Sequence, residues 1–189
     1  GNVNYHYLIN DCADSTGKVL VQNGNGHFVG YDDNFKYIEE EGVVKAGKRD
    51  SIWTGRDSGL KIQFIEQYAD GKLITGTSTD SAGARHPYNN RIVDPQYKGG
   101  MPALYKYLGS NITYPNDARK NGIEGTVILS FVIKKDGSLK DIKVARSVDQ
   151  QLDAEAMRVL SRSRGWKSGM FYGIPVNVKY QLPVAFVLR

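Results

Sequence analysis

The chain has 189 residues, 40% apolar and 24% charged, which suits one large or two small globular domains and excludes a disordered chain. Its net charge of +5 is unevenly spread: residues 1–93 sum to −2 and residues 94–189 to +7, with acids interleaved, so a solvated basic face is expected in the second half rather than a nucleic-acid site. One cysteine, Cys12, and three scattered histidines, His6, His27 and His86, exclude an internal disulfide and argue against a metal cluster or a thiol nucleophile, so no cofactor is expected.

No run approaches the ~20 apolar residues that a membrane-spanning helix needs, and no signal peptide is visible. The sequence opens at Gly1 without Met. A signal or anchor upstream of Gly1 is therefore expected.

The first half reads as short strands between glycine turns. Val19-Leu20-Val21 precedes Asn23-Gly24-Asn25-Gly26 and then His27-Phe28-Val29-Gly30. Asn-Gly supplies the positive φ of tight hairpins. Gly24-Asn25-Gly26 lacks the lysine and the following helix of a phosphate loop, so an ordinary turn is expected. From Lys61 to Tyr68 the pattern alternates, with Ile62, Phe64, Glu66 and Tyr68 on one face of a strand. Asp70-Gly71 turns the chain into Lys72–Gly76. Trp53 is expected as a core anchor.

Glycines five apart flank short apolar strands at 42–47 and 71–76. Tyr68-Ala69-Asp70-Gly71-Lys72 with Gly76 and Gly83, and Gly47-Lys48 with Trp53 and Gly55, resemble MORN-type repeats of small β-hairpins, although Ser51 stands where glycine is usual. The resemblance spans roughly residues 20–90 and implies stacked hairpins that complete one another's core, as a spacer or interaction module.

Residues 84–100 carry two prolines, Asn89-Asn90 and Gly99-Gly100, and read as a linker. The domain boundary is placed at Val93, giving domains 1–93 and 94–189. Met101, Leu104, Tyr105, Leu108 and Ile112 then follow helical spacing. A short helix over Asn116–Asn121 follows Pro115, with Gly122 as its cap. Gly125 opens a strand whose Val127, Leu129, Phe131 and Ile133 share a face. Asp136-Gly137 turns it into a return strand, Leu139 to Arg146, with Ile142 and Val144 inward. A helix follows, capped by Asp149 or Asp153, with Leu152, Ala156, Val159 and Leu160 as its buried stripe and Gly165 as its end. Asp153 and Glu155 are two apart and do not converge as an acid–base pair.

The last strand is expected from Pro175 to Leu188. Val176, Val178, Tyr180, Leu182, Val184, Phe186 and Leu188 share one parity. Its length exceeds the usual ~5–6 residues, and Pro183 with Lys179 marks an edge strand.

Tyr114-Pro115, Gly122-Ile123-Glu124-Gly125, Asp136-Gly137, Arg146-Ser147-Val148, Leu152-Asp153 with Glu155-Ala156, Gly165-Trp166-Lys167-Ser168-Gly169 and Pro175-Val176-Asn177-Val178, in this order, resemble the TonB C-terminal domain family. The form is similar to that of Bacteroidetes-type energy transducers, where a segment like Pro95–Met101 precedes the domain. Arg164-Gly165 and Ser168 depart from the residues common in the family. The resemblance implies an α+β fold, with a C-terminal antiparallel sheet of about three strands and two or three helices, beside the mostly-β N-terminal domain.

It also implies a periplasmic, non-enzymatic module. Such modules grip the TonB box of a TonB-dependent outer-membrane receptor by β-augmentation and couple it to an inner-membrane proton-channel complex through an anchor. On this chain the docking residues would be Pro175, Val176, Asn177, Val178, Lys179 and Tyr180. Five or six added hydrogen bonds at ~0.5–1.5 kcal/mol each suit a cyclic contact. A homodimer is compatible with the same edge. No nucleic acid is expected as partner. The alternative is a secreted or lipid-anchored envelope protein that uses both domains as interaction scaffolds.

Overall fold

The computed structural model describes residues 8–188, so His6 lies outside the described residues. The chain divides into two compact units: Gly1–Ile92 with Tyr172–Ile174, and Val93–Phe171 with Pro175–Arg189.

The first unit is an eight-stranded antiparallel meander in sequence order: β1 (Cys12–Ala13), β2 (Val19–Gln22), β3 (Asn25–Tyr31), β4 (Ile38–Lys45), β5 (Lys48–Asp57), β6 (Ile62–Ala69), β7 (Lys72–Thr79) and β8 (Arg85–Tyr88). Three of its hairpins close on two residues that both have positive φ: Asn23 (49°) and Gly24 (73°), Ala46 (47°) and Gly47 (75°), Asp70 (48°) and Gly71 (77°). This turn twists with the strands, which is why the Asn-Gly and Asp-Gly pairs stand where they do.

Ile62, Phe64, Glu66 and Tyr68 on β6 are buried, as their alternation predicts. Trp53 on β5 is fully buried, stacks on Phe28 at 5.7 Å, meets the edge of Tyr68 at 6.3 Å and donates its indole N–H to the Val43 carbonyl at 2.9 Å. Gly42 lies opposite it across β4 and β5, and a Cβ there would fall 2.3 Å from the indole ring. Glycine at this position is what admits the tryptophan.

Glu66 is the charged residue within this core, its side chain fully enclosed. Arg91 donates to its two carboxylate oxygens at 2.7 and 2.5 Å, and the hydroxyls of Tyr88 and Tyr68 donate at 2.8 and 3.1 Å. Arg91 also donates to Glu40 at 3.3 Å. Arg49 donates to Glu40 through two nitrogens while its guanidinium lies 4.1 Å from the centre of the Trp53 ring. Two acids and two bases thus balance, and no buried side-chain N or O of the described residues lacks a partner. With every oxygen of Glu66 and Glu40 bound by donors, the cluster offers no free base for chemistry.

The linker expected over residues 84–100 is corrected. Arg85–Tyr88 is the eighth strand, paired with β7 from Gly76↔Tyr88 to Thr79↔Arg85. Pro87 is compatible with this because β8 is the last strand of the sheet and a missing N–H on its outer side costs no ladder bond. Two short strands follow, β9 (Ile92–Val93) and β10 (Gln96–Tyr97).

The second unit contains α1 (Gly100–Asn111), α2 (Asn116–Lys120), β11 (Gly125–Ile133), β12 (Leu139–Arg146), α3 (Gln150–Arg162), β13 (Trp166–Lys167), β14 (Gly169–Phe171), β15 (Ile174–Val176) and β16 (Val178–Phe186). Its main sheet has the order β12-β11-β16, and β13 pairs with β10. Val127, Leu129, Phe131 and Ile133 of β11 are buried with Leu152, Ala156, Val159 and Leu160 of α3 and Leu104 and Leu108 of α1. The helices therefore cover one face of the sheet, and the alternation of β11 follows from that one-sided burial.

The stripe expected on α1 is half corrected. Tyr105 is 50% exposed and Met101 36% exposed, whereas Tyr107 packs on the core and donates its hydroxyl to the Val159 carbonyl at 3.2 Å. A 12-residue helix buries a narrow face here, and Leu104, Tyr107 and Leu108 occupy it. α3 ends at Arg162, with Ser163 rather than Gly165 in the capping position. At its start the Asp149 carboxylate accepts from the N–H groups of Gln151 (2.9 Å) and Leu152 (3.3 Å). Asp149→Ala is expected to lower the stability of this unit by ~0.5–2 kcal/mol, read as a shift of the urea midpoint with unchanged slope. No shift would mean that the cap contributes nothing.

Candidate functional site

β16 is an edge strand. It pairs with β11 from Gly125↔Phe186 to Ile133↔Val178 without a register shift, and among the described residues no strand pairs with its other side. The opposite edge, β12, carries two register shifts. Bulges spoil an edge as a template for another strand, so of the two edges only β16 is regular enough to accept one.

Pro183 fixes which groups of β16 face outward. In an antiparallel pair the N–H and C=O of one residue point to the same side, and successive residues alternate. Pro183 lies opposite Ile128 in an unbroken ladder, and only an outward-facing position tolerates its missing N–H. Residues of its parity, Lys179, Gln181 and Ala185, therefore turn their main-chain groups to the free side. Their side chains are exposed on the sheet's outer face, while Leu182, Val184 and Phe186 are buried.

The strand expected from Pro175 to Leu188 is broken at Asn177. Pro175 and Val176 lie in β15, next to β14 and not in the main sheet. Asn177 separates the two strands, and its side-chain oxygen accepts from the Lys135 N–H at 3.0 Å. Val178, Lys179 and Tyr180 begin β16. Val178 and Tyr180 direct their main chain toward β11, so of the six expected docking residues Lys179 alone faces the free edge. Gln181 and Ala185 join it there. The signal that could have found them is the parity of Pro183.

Tyr180 is positioned from inside. Its ring lies 5.8 Å from Phe131 and 5.9 Å from Trp166, and its hydroxyl reaches the Met101 sulfur at 3.9 Å. Trp166 in turn donates its indole N–H to Ser163 at 2.9 Å. This aromatic group sets the start of β16 on the helical layer. Elsewhere in the unit, Arg158 donates to Glu155 at 2.6 and 2.7 Å and, ahead of the opposing effect of burial, holds the Glu155 carboxyl below the usual range. Glu155 also accepts from the Thr113 N–H at 2.5 Å. The pair ties α3 to the chain that leaves α1 and is not an acid–base site.

Among the described residues no cluster of His, Cys, Asp and Glu could hold a metal ion. No helix among them is long and apolar enough to cross a membrane.

Residues 110–188 match the family model described as the C-terminal domain of the Gram-negative bacterial TonB protein. The TonB proteins of Helicobacter pylori strains J99 and 26695 are each 32% identical to this chain over 83 residues, which is 43% of this chain and 28% of theirs. The chain thus spans less than a third of the length of these curated relatives. Two solution structures of the Helicobacter pylori TonB C-terminal domain are 29% and 27% identical, cover 47% and 46% of this chain and 80% and 91% of theirs, and give a TM-score of 0.37 each. The family match covers α2, the β12-β11-β16 sheet and α3: the segment from residue 110 to residue 188 is similar to the TonB C-terminal domain family.

Proposed function

We propose that the second unit is a periplasmic TonB-type module that takes an extended peptide, the TonB box of an outer-membrane receptor, as an added strand on β16. The observation that carries this reading is the unbulged, unpaired side of β16. The partner strand would bond the N–H and C=O groups of Lys179, Gln181 and Ala185 and the carbonyl of Pro183. Each such bond is worth ~0.5–1.5 kcal/mol, which gives a grip that forms and releases readily. Coupling to an inner-membrane proton-channel complex belongs to the same reading and requires an anchor joined to this segment. The first unit, a meander of hairpins with MORN-like glycine spacing, serves as an interaction scaffold or spacer in this proposal.

Titration of the full chain with a synthetic TonB-box peptide tests it. The expected result is that amide shifts concentrate at Lys179, Gln181 and Ala185. Gln181→Pro is expected to keep the fold, because its N–H faces outward, and to weaken the peptide by up to about tenfold through loss of one bond. Shifts scattered away from β16, or unchanged affinity in the variant, would sink the reading.

A further inference from the structure

The main sheet of the second unit has a cationic outer face that the edge-docking reading does not use. On β12, Lys140, Lys143 and Arg146 are three residues apart, and a regular strand would turn Lys143 to the opposite side from the other two. The two register shifts of β12 cancel this. Lys140 lies opposite Val132, Lys143 opposite Ser130 and Arg146 opposite Ile128. Those β11 partners share the face opposite the buried Val127, Leu129, Phe131 and Ile133. All three cations therefore stand on the outer face. Lys179 joins them from β16, across Val132.

All four cations are exposed, and none makes an ion pair among the described residues. Asp141, at φ 54° in the first shift, is the one acid on β12 and is likewise without an ion pair. Like charges held side by side repel, and their repulsion is relieved when an anionic partner binds.

The spacing narrows the partner. The three β12 cations sit level with alternate residues of β11, so they are about 6–7 Å apart along the strand. Alternate side chains of any extended polypeptide repeat at the same distance. The centre of the face is neutral and level, with half-buried Thr126, Ile128, Ser130 and Val132 and no protruding aromatic side chain. That lacks the apolar wedge of a bilayer-inserting surface and the stacking rings of a single-strand nucleic-acid platform.

We infer that the outer face of the β12-β11-β16 sheet docks an extended acidic protein segment with Asp or Glu at alternate positions, lying along β12 and held by Lys140, Lys143 and Arg146. The contact is made by side chains. The bulges that align the cations also deny the segment a main-chain ladder on β12. It is independent of strand addition at β16, so either can fail alone.

The test uses the full chain and two synthetic peptides of equal charge and composition, one with Glu and Ser alternating and one with the Glu residues in a block. At roughly 10 mM salt, where screening extends over ~30 Å, the alternating peptide is expected to bind several-fold more tightly than the block peptide. Amide shifts are expected at β12 and not at Gln181. Each exposed ion pair contributes up to about fivefold in affinity, so the exposed triple variant Lys140→Gln, Lys143→Gln, Arg146→Gln is expected to lose about 10- to 100-fold. Lys106→Gln, an exposed lysine on α1, is expected to change nothing. Equal binding of the two peptides, or equal losses in the triple and control variants, would reduce the face to undirected charge and overturn the inference. So would tighter binding to vesicles of equal parts phosphatidylcholine and phosphatidylglycerol, or to oligothymidylate, than to the alternating peptide.

Discussion

Arg91→Met is expected to destabilise the eight-stranded unit by about 3–5 kcal/mol, because it leaves the Glu66 carboxylate enclosed without its counter-charge. The side chain of Glu66 is 0% exposed, and Arg91 supplies two of its four donors. The two tyrosine hydroxyls that remain carry no charge. Glu40 also loses a donor but keeps Arg49. The double variant Glu66→Gln, Arg91→Met is expected to recover part of the loss, since breaking a buried pair costs more than replacing it. Urea denaturation followed by Trp53 fluorescence in a Trp166→Phe background measures it. A loss of under about 1 kcal/mol would place the variant among ordinary surface changes and remove the network's claimed role.

The same network sets the response to pH. Burial opposes the charge of Glu40, but the Arg49 hydrogen bond and the Arg49 and Arg91 charges outweigh it and hold its carboxyl below the usual value. A depressed pKa contributes stability above the unfolded value, and that contribution is lost as pH falls through the folded one. At the other end, burial and then nearby carboxylates push the Tyr172 hydroxyl up from 10.0 to about 12, against the favourable effect of Arg91. Tyr88 moves up as well, through burial and the Glu66 charge. A raised pKa contributes stability below the unfolded value and loses it on the way to the folded one. The urea midpoint of this unit is therefore expected to fall on the acid side below the carboxylate range, and again from pH 10 to about 12. A flat midpoint through the alkaline window would contradict the enclosure of the two phenols.

Phe131→Ala is expected to cost the second unit about 3–5 kcal/mol and, under the proposed strand addition, to abolish peptide binding at β16. Phe131 is 1% exposed on the central strand, and its ring lies 5.5 Å from Trp166 and 5.8 Å from Tyr180. Its removal leaves a cavity under the residue that seats the start of β16, so the edge would lose its register support along with its stability. Amide exchange at β11 and β16 is expected to rise first. Protection at Lys179–Ala185 unchanged from the parent would show that the edge is held by its ladder alone.

Much of the sheet-forming pattern was legible from the residues. The alternation of Ile62, Phe64, Glu66 and Tyr68, the shared parity of Val178 to Phe186, and the stripe of α3 each needed only strand or helix period and one-sided burial. The strand Arg85–Tyr88 was not legible, because a four-residue edge strand with a proline carries the same local signals as a linker. The break at Asn177 was not legible either: apolar parity continues through it, and only the Asn177–Lys135 hydrogen bond and the separate pairing of β15 end one strand and start the next.

For the candidate edge, the sequence by itself determined that the last strand lies at a sheet margin and, through Pro183, which parity of residues faces outward, because both follow from one covalent fact, the absent N–H. The tertiary structure alone decided that Pro175 and Val176 leave the sheet. It alone decided that Glu66 is enclosed with Arg91 from a distant stretch, and that two bulges turn Lys143 to the side of Lys140 and Arg146. These depend on pairing between segments far apart in the chain, where a shift of one residue reverses a side chain's face and no local propensity records it.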